Sequence, residues 1–586
     1  MKIVNIKINN FRGVKHCDLN LPEHAVLVGD NNIGKSTILE AIDLVLGPER
    51  LSKRPVIDEH DFYVGKYLDN ENNPIEIKID IILIGLNNEL ESHFRNNIEW
   101  WDTKALTLLN GPPPEATDRK EVVSAVRLGF RGYYDVGEDD FAGKTIILSP
   151  QREDGEYDTL KLVDKRQFGF LYLRTLRTGR RALSLERGSL LDIILKLQEL
   201  KPHMWEDVLS QLRDISVVSN PELGISDILA NVQQAVRDLV PVEFANVPAI
   251  RISEMTREHL RHVLTVFLGT GTCDDDNKEY LVPYHHQGTG TINALVLTLL
   301  SMIADLKPNV IFAMEEPEIA IPPYTQKRII HRVVGKSAQA IFTSHSPYVM
   351  EEFEMDQIIV VNRKIGELTG IPAQRPPYVK QKKYRDEIKR RFCESLLARK
   401  VLIVEGDTEY NTYPIVARKL EDINPDKYAS LESMGISIIC AETENNIPAL
   451  GEYFRRLGKT TYAIFDKQSN EKLEKICHNV DFPYVLTEKG FEKLVVNNTN
   501  EKTLRQYAAE VIKNGNWPTH IEKISQDSTT EQLHSGLCEY FMHKKAENTI
   551  ADCLCMCILE SDFPSRVLEI LQAIRNTITD ISDGTM

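Results

Sequence analysis

The sequence GDNNIGKS at residues 29–36 is the feature that most constrains how this chain can fold. It follows a short apolar run at 25–28 and precedes a segment from 38 onward whose apolar residues have helical spacing. A glycine-rich loop between a strand and a helix lets backbone N–H groups surround a phosphate, and the helix N-terminus adds its dipole. This is the Walker A pattern, and it predicts an α/β nucleotide-binding domain.

The loop assigns a role to each of its polar positions. Lys35 would meet the β- and γ-phosphates of ATP, and the Ser36 hydroxyl would bind Mg²⁺. The predicted nucleotide-binding residues are Gly29, Asn32, Gly34, Lys35, Ser36 and Thr37.

An apolar strand at 310–316, VIFAMEE, ends in two carboxylates as a Walker B site requires. Glu315 would hold Mg²⁺ through water, and Glu316 would polarise the attacking water. Glu315 stands where many such sites have Asp, but its longer side chain can still reach the water shell of the ion. We therefore predict Glu315 as a metal and cofactor residue and Glu316 as a catalytic one.

Two further segments fit the same nucleotide site. His345 follows a β-like run in the sequence IFTSHSP and can contact a γ-phosphate. The sequence GTGT at 288–291 precedes an apolar helix-like segment, so Gly288 and Gly290 can present backbone amides to phosphate. A near copy at 269–272 runs into acids at 274–276 that would repel phosphate, and we interpret it as a turn.

The order of these motifs resembles the ABC ATPases, with His345 as the switch histidine and 288–291 as the signature loop. The resemblance implies that ATP lies between two chains, and hence a homodimer or higher homo-oligomer. Helical apolar spacing at 189–245 predicts a helical insertion suited to dimerisation. For the Q-loop, Gln151 and Gln167 are both candidates.

A second α/β pattern begins after residue 399, with apolar strands at 401–404, 436–440 and 462–465. Glu405 and Asp466 each follow one of these strands directly, and Glu409 lies one helical turn beyond Glu405. Carboxylates at the carboxyl edge of a parallel sheet converge, and they suit hard cations such as Mg²⁺ or Mn²⁺. We predict that Glu405, Glu409 and Asp466 bind metal.

This pattern resembles the Toprim fold of topoisomerases, primases and some nucleases, with one departure. Toprim domains usually carry Asp-x-Asp at the second acidic strand, whereas this chain has Asp466 followed two residues later by Gln468. Gln468 brings no charge, so the site either recruits another acid or works with one ion at a time. The acids considered for recruitment are Glu442, Glu444 and Glu492.

An ABC module followed by Toprim in one chain resembles the OLD (overcoming lysogenization defect) nucleases. The phrases that carry the resemblance are EEPE at 315–318, TSHSP at 343–347 and VEGDTE at 404–409. A Lys-Lys-Ala sequence at 544–546 is similar to the family's lysine-bearing segment, in which Lys545 would neutralise charge on phosphate. The implied domains are an ABC ATPase at 1–188 and 246–375, interrupted by the insertion at 189–245, and Toprim at 395–586.

The resemblance implies a metal-dependent DNA nuclease, with Glu405 or a water on the metal activating the nucleophile and the ATPase dimer gating access. It further implies phage defence or exclusion by a single-gene, prophage-carried protein. Two alternatives stay open: a regulatory, DNA-binding ATPase with a degenerate Toprim domain, which Gln468 favours, and a nuclease acting on RNA or tRNA.

Composition excludes other classes. The 586 residues are 42% hydrophobic and 27% charged, and no stretch is apolar enough to span a bilayer. The N-terminus lacks a signal core, so we expect a cytoplasmic protein without a membrane partner, and the nine cysteines lack zinc spacing. A net charge of −16 still permits a local DNA path. Its candidates are Arg174, Arg177, Arg180, Arg181, Arg187, Lys380, Lys382, Lys383, Arg385, Lys389, Arg390 and Arg391.

Overall fold

The computed structural model describes most of the chain. The described residues are 1–48, 56–109, 111–112, 121–174, 183–186, 189–198, 201–214, 225–237, 256–274, 276–306, 309–319, 322–375, 389–525, 527–544 and 547–583. They divide into two compact units, one made of Met1–Lys7 and Leu39–Phe342 and the other of Ile8–Ile38 and Thr343–Met586. The domain limits expected from the sequence stay predictions.

The secondary structure is a mixture of helices and strands, as the sequence predicts. The strands in chain order are β1 (Lys2–Phe11), β2 (Val14–Asn20), β3 (Ala25–Val28), β4 (Ile77–Ile84), β5 (Ile98–Asp102), β6 (Thr107–Leu109), β7 (Val122–Asp135), β8 (Asp140–Ile147), β9 (Asp158–Thr159), β10 (Phe170–Leu173), β11 (Phe267–Cys273), β12 (Glu279–Pro283), β13 (Ile311–Glu315), β14 (Gln339–Thr343), β15 (Ile358–Lys364), β16 (Glu367–Pro372), β17 (Lys400–Val404), β18 (Ile436–Cys440), β19 (Thr460–Phe465) and β20 (Phe482–Val485).

The α-helices in chain order are α1 (Lys35–Leu46), α2 (Asn88–His93), α3 (Leu162–Gln167), α4 (Leu190–Leu197), α5 (Lys201–Asp214), α6 (Ile225–Arg237), α7 (Arg257–Val263), α8 (Thr289–Leu306), α9 (Pro323–Lys336), α10 (Pro347–Met350), α11 (Lys389–Leu397), α12 (Asp407–Ile423), α13 (Ile447–Arg456), α14 (Asn470–Asn479), α15 (Phe491–Asn498), α16 (Glu501–Lys513), α17 (Thr530–His543), α18 (Thr549–Cys555) and α19 (Ser565–Asp583). Within the described residues, none of these helices is long and apolar enough to cross a membrane.

The first unit pairs its strands in two ways. β10 and β13 run parallel, whereas β4, β5, β7, β8 and β9 form an antiparallel series. Helices α4, α5 and α6 lie within 189–245, where the sequence predicts a helical insertion; residues 199–200, 215–224 and 238–245 lie outside the described part of the chain, and the limits and dimerisation role of the insertion stay predictions. The copy of the glycine pattern at 269–272 is not a turn but part of β11, which pairs with β12. The chain reverses at the acidic residues that follow it.

The second unit contains the glycine-rich loop and all three predicted C-terminal strands. β3 pairs in parallel with β15, which pairs with β16. A separate four-stranded parallel sheet has the order β18-β17-β19-β20, so β17 and β19 are neighbours. Its core packs Leu402 and Val404 of β17 against Tyr413, Val416 and Leu420 of α12. The predicted α/β class is thus confirmed.

One buried lysine makes the stability of the first unit depend on pH. The Lys165 side chain is fully buried, and its Nζ donates a hydrogen bond to the Leu44 carbonyl in the last turn of α1, 3.1 Å away. Burial lowers the pKa of Lys165 to about 7, and the nearby Asp43 only partly opposes this shift. The folded protein therefore releases a proton near neutral pH that the unfolded chain keeps until about pH 10.5.

We expect Lys165→Met to remove this pH dependence. Because the unfolded chain binds more protons between pH 7 and 10, the wild-type protein gains stability as pH rises, by up to about 1.4 kcal/mol per pH unit. The difference in melting temperature, Lys165→Met minus wild type, should be largest near pH 7 and shrink towards pH 10. The exposed Lys78→Met serves as the control, and a pH-independent difference for Lys165→Met would contradict the assignment.

Candidate active sites

The glycine-rich loop has the backbone geometry of a phosphate-binding loop. Gly29, Asn32 and Gly34 have φ angles of +148°, +60° and +114°, in the left-handed region that suits glycine and asparagine. A Cβ at Gly29 would lie 2.6 Å from the Val361 carbonyl oxygen, and one at Gly34 would lie 2.6 Å from Leu368 Cδ1. Glycine is therefore required at both positions.

Lys35 is directed into the loop. Its side chain is 7% exposed, and Nζ donates to the carbonyl oxygens of Gly29 and Asp30 at 2.9 and 2.7 Å. Helix α1 begins at Lys35, which places the Ser36 and Thr37 amides in its first turn. Lys35 thus closes the loop from inside, and a bound phosphate would compete with these carbonyl oxygens for its ammonium group.

The segment with His345 is anchored to the strand that carries the loop. The Ser344 amide donates to the Leu27 carbonyl of β3 at 3.3 Å, two residues before Gly29, and the Ser346 amide donates to Ser344 Oγ at 3.0 Å. His345 is half-buried between these two bonded residues. The structure therefore brings the predicted switch histidine to the strand that leads into the phosphate loop.

The predicted Walker B pair ends β13 in the first unit. Glu315 is the last residue of the strand, and one of its carboxylate oxygens accepts a hydrogen bond from the Tyr172 hydroxyl of β10. Glu316 follows with φ of +46°, a region that non-glycine residues rarely adopt and that is found preferentially at functional sites. Sequence reasoning missed Tyr172, which lies 143 residues before its partner and belongs to no motif.

Gly288 and Gly290 lie at the start of α8, which begins inside the segment predicted as the signature loop, so Gly290 belongs to the first helical turn. Helix α8 begins at Thr289, and the Gly288 carbonyl accepts from the amides of Thr291 and Ile292. A Cβ at Gly288 would meet no atom within 4 Å, so this helix start faces open space. Of the Q-loop candidates, the Gln151 side chain donates to the Gly155 carbonyl, and Gln167 ends α3. The roles of both stay predictions.

The acidic cluster of the second unit is built by three elements. Glu405 follows β17 and Asp466 follows β19, and the Asp466 amide donates to Glu405 Oε2 at 3.1 Å. Glu409 lies in the first turn of α12, on the face that also buries Thr412, Tyr413, Val416 and Leu420. Parallel neighbouring strands and one amphipathic helix thus bring the three predicted acids to the same edge of the sheet.

The environment of the cluster disfavours its negative charge. Burial, and then the charges of Asp466, Glu492 and Glu405, raise the pKa of Glu409 to about 7. Burial likewise raises the pKa of Glu405, opposed by its hydrogen bond from the Asp466 amide. A Cβ at Gly406 would lie 2.9 Å from Glu409 Oε2, so a larger residue at this position would displace that carboxylate.

Other acids considered for this site differ in their placement. Glu492 is 4% exposed in the first turn of α15, whereas Glu444 pairs with Lys472 at 2.8 Å and Glu442 is exposed. Asp466 Oδ2 accepts from the Gly490 amide at 2.7 Å, just before α15. Of the three acids that the sequence offers for recruitment to this site, Glu492 is therefore the buried one. Gln468 is half-buried in the loop after β19.

The donor set fits a hard divalent cation by its chemistry. It consists of carboxylates held at one sheet edge, with Glu409 and Glu492 buried and with pKa values of Glu405 and Glu409 raised first by burial and then by neighbouring negative charge. A divalent cation would relieve this repulsion. Within the part of the chain that the structure describes, however, no three acidic, histidine or cysteine side chains form a preassembled metal site. Side-chain rotation has to complete the site.

The predicted lysines near the C-terminus are placed only in part. Lys545 lies outside the described residues, so the role predicted for it stays a prediction. Lys544 ends α17, and its Nζ donates to Glu547 Oε1 at 2.7 Å. A local surface pair of this kind is weak, because solvent screens it.

The basic residues predicted as a DNA path are engaged where the structure describes their side chains. Arg174 lies over the Tyr172 ring, Arg390 over Tyr348 and Arg391 over Tyr410. Each of the three arginines also contacts an acid, at distances of 3.0–3.6 Å: Glu40, Glu351 and Asp407 respectively. Lys389 begins α11, and the other candidates lie outside the described residues.

Known proteins match the chain in three segments. Residues 1–111 match the family "AAA ATPase domain", residues 137–351 match "AAA domain, putative AbiEii toxin, Type IV TA system", and residues 396–467 match "Overcoming lysogenization defect protein-like, TOPRIM domain". The first two segments contain the predicted nucleotide residues, and the third contains Glu405, Glu409 and Asp466.

Two relatives extend the similarity over most of the chain. "OLD nuclease" of Thermus scotoductus is 23% identical over 434 residues, which cover 68% of this chain and 71% of the relative. "Endonuclease GajA" of Bacillus cereus is 21% identical over 451 residues, covering 73% and 69% respectively. Among solved structures, an SMC head bound to the C-terminal winged-helix domain of ScpA aligns with 63% of this chain and 98% of its own, at 14% identity and a TM-score of 0.34.

We expect Glu409→Gln to stabilise the protein in the absence of divalent cations. At pH 8 the variant removes one negative charge from the buried cluster, so its melting temperature should exceed that of the wild type by about 2–4 °C, the shift expected for about 1 kcal/mol in a domain of this size. MgCl₂ should raise the melting temperature of the wild type more than that of Glu409→Gln. The exposed Glu474→Gln is the matched control, and an equal response of all three proteins to MgCl₂ would contradict a cation at Glu409.

Proposed function

Because the chain joins an AAA-type ATPase region to an OLD-like Toprim domain and is homologous to OLD nuclease, we propose that this ATPase-linked nuclease cleaves DNA in a metal-dependent reaction at Glu405, Glu409 and Asp466. The observation that carries the proposal is the hydrogen bond from the Asp466 amide to Glu405 Oε2, which joins the ends of two neighbouring parallel strands. Two acids distant in sequence are thereby held together at a surface edge, with Glu409 beside them.

Each acid has a distinct part in the proposed site. Glu405, Asp466 and Glu409 hold the cation, and Glu409, on the helix face that also carries Tyr413 and Val416, turns its carboxylate towards the ion when the ion binds. When bound, Mg²⁺ or Mn²⁺ supplies charge neutralisation at the phosphate and activation of water. Glu405 is half-exposed, and its raised pKa suits a group that accepts a proton from the nucleophilic water.

Glu405→Gln tests the chemistry directly. The amide keeps the size of the side chain and can still accept from the Asp466 backbone, but it carries no charge. We expect nicking of supercoiled plasmid in Mg²⁺ or Mn²⁺ to fall at least about 100-fold, as for loss of a general base. Glu474→Gln, an exposed change in the same domain, should cleave like the wild type. Lys35→Ala should abolish ATP hydrolysis without abolishing cleavage.

The same assay separates the alternatives. Absence of cleavage by the wild type with any divalent metal would favour the regulatory ATPase, to which Gln468 and the lack of a preassembled metal group in the described residues both point. Cleavage of RNA in preference to DNA, in side-by-side digestion, would favour the RNA-directed enzyme. Protection of a bacterial host from plaque formation, lost in Glu405→Gln, would support a function in phage defence.

We further propose that the state of the nucleotide site reaches the nuclease site through the start of β17. Arg399 precedes β17 and forms an ion pair with Asp30 of the phosphate loop, whereas Glu405 follows the other end of this five-residue strand. Lys459 Nζ donates to the Leu396 and Ala398 carbonyls at 2.7 Å each, which fixes the backbone next to Arg399. Asn362 of β15 adds a second link by donating to the Leu457 carbonyl at 3.0 Å.

An exposed ion pair such as this one contributes little stability. Its importance is positional, because Asp30 also supplies a carbonyl oxygen to Lys35 Nζ. Nucleotide that draws Lys35 away from this oxygen would change the loop, and Arg399 would transmit the change to β17. The proposed homodimer, with Gly288 and Gly290 facing the partner's nucleotide, would make the response depend on two bound ATP molecules.

Arg399→Ala should uncouple the two sites. We expect ATP to change the rate of DNA cleavage by the wild-type protein. The same ATP-induced change should be at least about threefold smaller in Arg399→Ala, because this variant lacks the charged link between Asp30 and β17. Arg418 lies on α12 and forms a comparable exposed ion pair with Glu432. Arg418→Ala breaks this pair and serves as the control. An unaltered response to ATP in Arg399→Ala would exclude this route.

A further inference from the structure

Tyr172 is the side chain that contacts the predicted Walker B carboxylate without belonging to any nucleotide motif. β10 and β13 pair in parallel, with Tyr172 opposite Ala313. Residues two apart on a strand share a face, so Glu315 lies on the same side of the sheet as Ala313 and Tyr172. The Tyr172 hydroxyl reaches diagonally across the pair and donates to Glu315 Oε1.

The environment of Tyr172 keeps its hydroxyl a donor. Burial and the charge of Glu315 raise the pKa of Tyr172 far above its usual value, so the phenol stays protonated at every physiological pH. The Arg174 guanidinium lies 5.6 Å from the centre of the Tyr172 ring, and Arg174 Nη2 lies 3.6 Å from Glu40 Oε2. Glu40 belongs to α1, the helix that starts at Lys35. The ring is thus flanked on one side by an arginine that contacts Glu40 within the same unit.

The hydrogen bond from Tyr172 restricts the long side chain of Glu315. Glutamate has one more methylene group and one more rotatable bond than the aspartate common at this position, so its carboxylate is less well fixed. A hydrogen bond to Oε1 removes that freedom and leaves the direction of Oε2 defined. An aspartate here would end roughly 1.5 Å short, one C–C bond length, and would lose Tyr172.

We propose that Tyr172 is a positioning residue for nucleotide-bound Mg²⁺, which holds Glu315 in the one orientation that meets the water shell of the ion. The proposal rests on the role predicted for Glu315 from the sequence, namely binding the nucleotide's Mg²⁺ through water. It identifies Tyr172 and Glu315 as one unit, in which the tyrosine compensates for the longer acid.

The experiment measures metal binding without turnover. Mn²⁺ is titrated by electron paramagnetic resonance against the full-length protein with a non-hydrolysable ATP analogue, in wild type, Tyr172→Phe, Glu315→Asp and the double variant. Tyr172→Phe keeps the ring and its packing on Arg174 but removes the donor. We expect it to weaken Mn²⁺ binding about tenfold, the scale of one hydrogen bond to a charged group. In the Glu315→Asp background the same change should weaken binding less than about twofold, because the bond is already absent.

The controls separate a positioning role from a structural one. Tyr134→Phe breaks the hydrogen bond from another tyrosine to a carboxylate, Asp139, on the β7–β8 hairpin, and it should leave Mn²⁺ binding unchanged. Binding of the analogue in EDTA, together with the melting temperature, reports whether each variant is folded. Unchanged Mn²⁺ affinity in Tyr172→Phe, or an equal tenfold loss in both backgrounds, would overturn the proposal.

Glu315→Ala distinguishes failure of this inference from failure of its premise. If Glu315→Ala retains wild-type Mn²⁺ affinity and ATP hydrolysis, Glu315 does not serve the nucleotide's metal, and the function proposed for it is wrong. If Glu315→Ala loses both while Tyr172→Phe behaves as the wild type, Glu315 keeps its role and the positioning role of Tyr172 alone is excluded.

Discussion

Neighbouring parallel strands β17 and β19 end at the same edge of their sheet, and the remainder of the candidate nuclease site depends on this constraint. Glu405 and Asp466 emerge at that edge, and the Asp466 amide joins them by a hydrogen bond to Glu405 Oε2. Helix α12 starts two residues after Glu405, so its first turn adds Glu409 from the buried helix face. Backbone geometry places each acid, and burial together with the neighbouring carboxylates raises the pKa values of Glu405 and Glu409. An arrangement that is electrostatically unfavourable by itself is typical of sites completed by a cation.

The residues predicted to bind nucleotide also lie at the ends of strands. The phosphate loop follows β3, Glu315 ends β13, and His345 comes two residues after the end of β14. Lys35 donates to loop carbonyls, and Asp30 of this loop pairs with Arg399 at the start of β17. Arg399, which pairs with the phosphate loop, thus precedes β17 directly, and Glu405 of the acidic cluster follows the other end of this strand.

Local patterns carried most of what the sequence could predict. The strands at 25–28, 401–404, 436–440 and 462–465 and the helix start at Gly288 were recognised because their spacing is set by residues within a few positions of each other. The proximity of Glu405 and Asp466 also followed, since parallel strands in an α/β pattern share an edge. The segment at 269–272 was misassigned as a turn, because glycine and threonine fit a hairpin strand as well as a loop.

Contacts between distant segments were beyond the sequence. Nothing near Tyr172 indicates that its hydroxyl reaches Glu315, and nothing near Arg399 indicates Asp30. The arginines 174, 390 and 391 looked like a polyanion path, yet each lies over an aromatic ring and contacts an acid. A run of basic residues in the sequence identifies the cationic side chains, but the fold determines which rings and acids they contact.

We propose that Glu405, Glu409 and Asp466 share one divalent cation, and anomalous diffraction from crystals grown with Mn²⁺ would locate it. We expect an anomalous peak within bonding distance of carboxylate oxygens from Glu405, after β17, and Asp466, after β19, with Glu409 turned towards it. Crystals that bind Mn²⁺ at the phosphate loop but show no peak between Glu405 and Asp466 would contradict it.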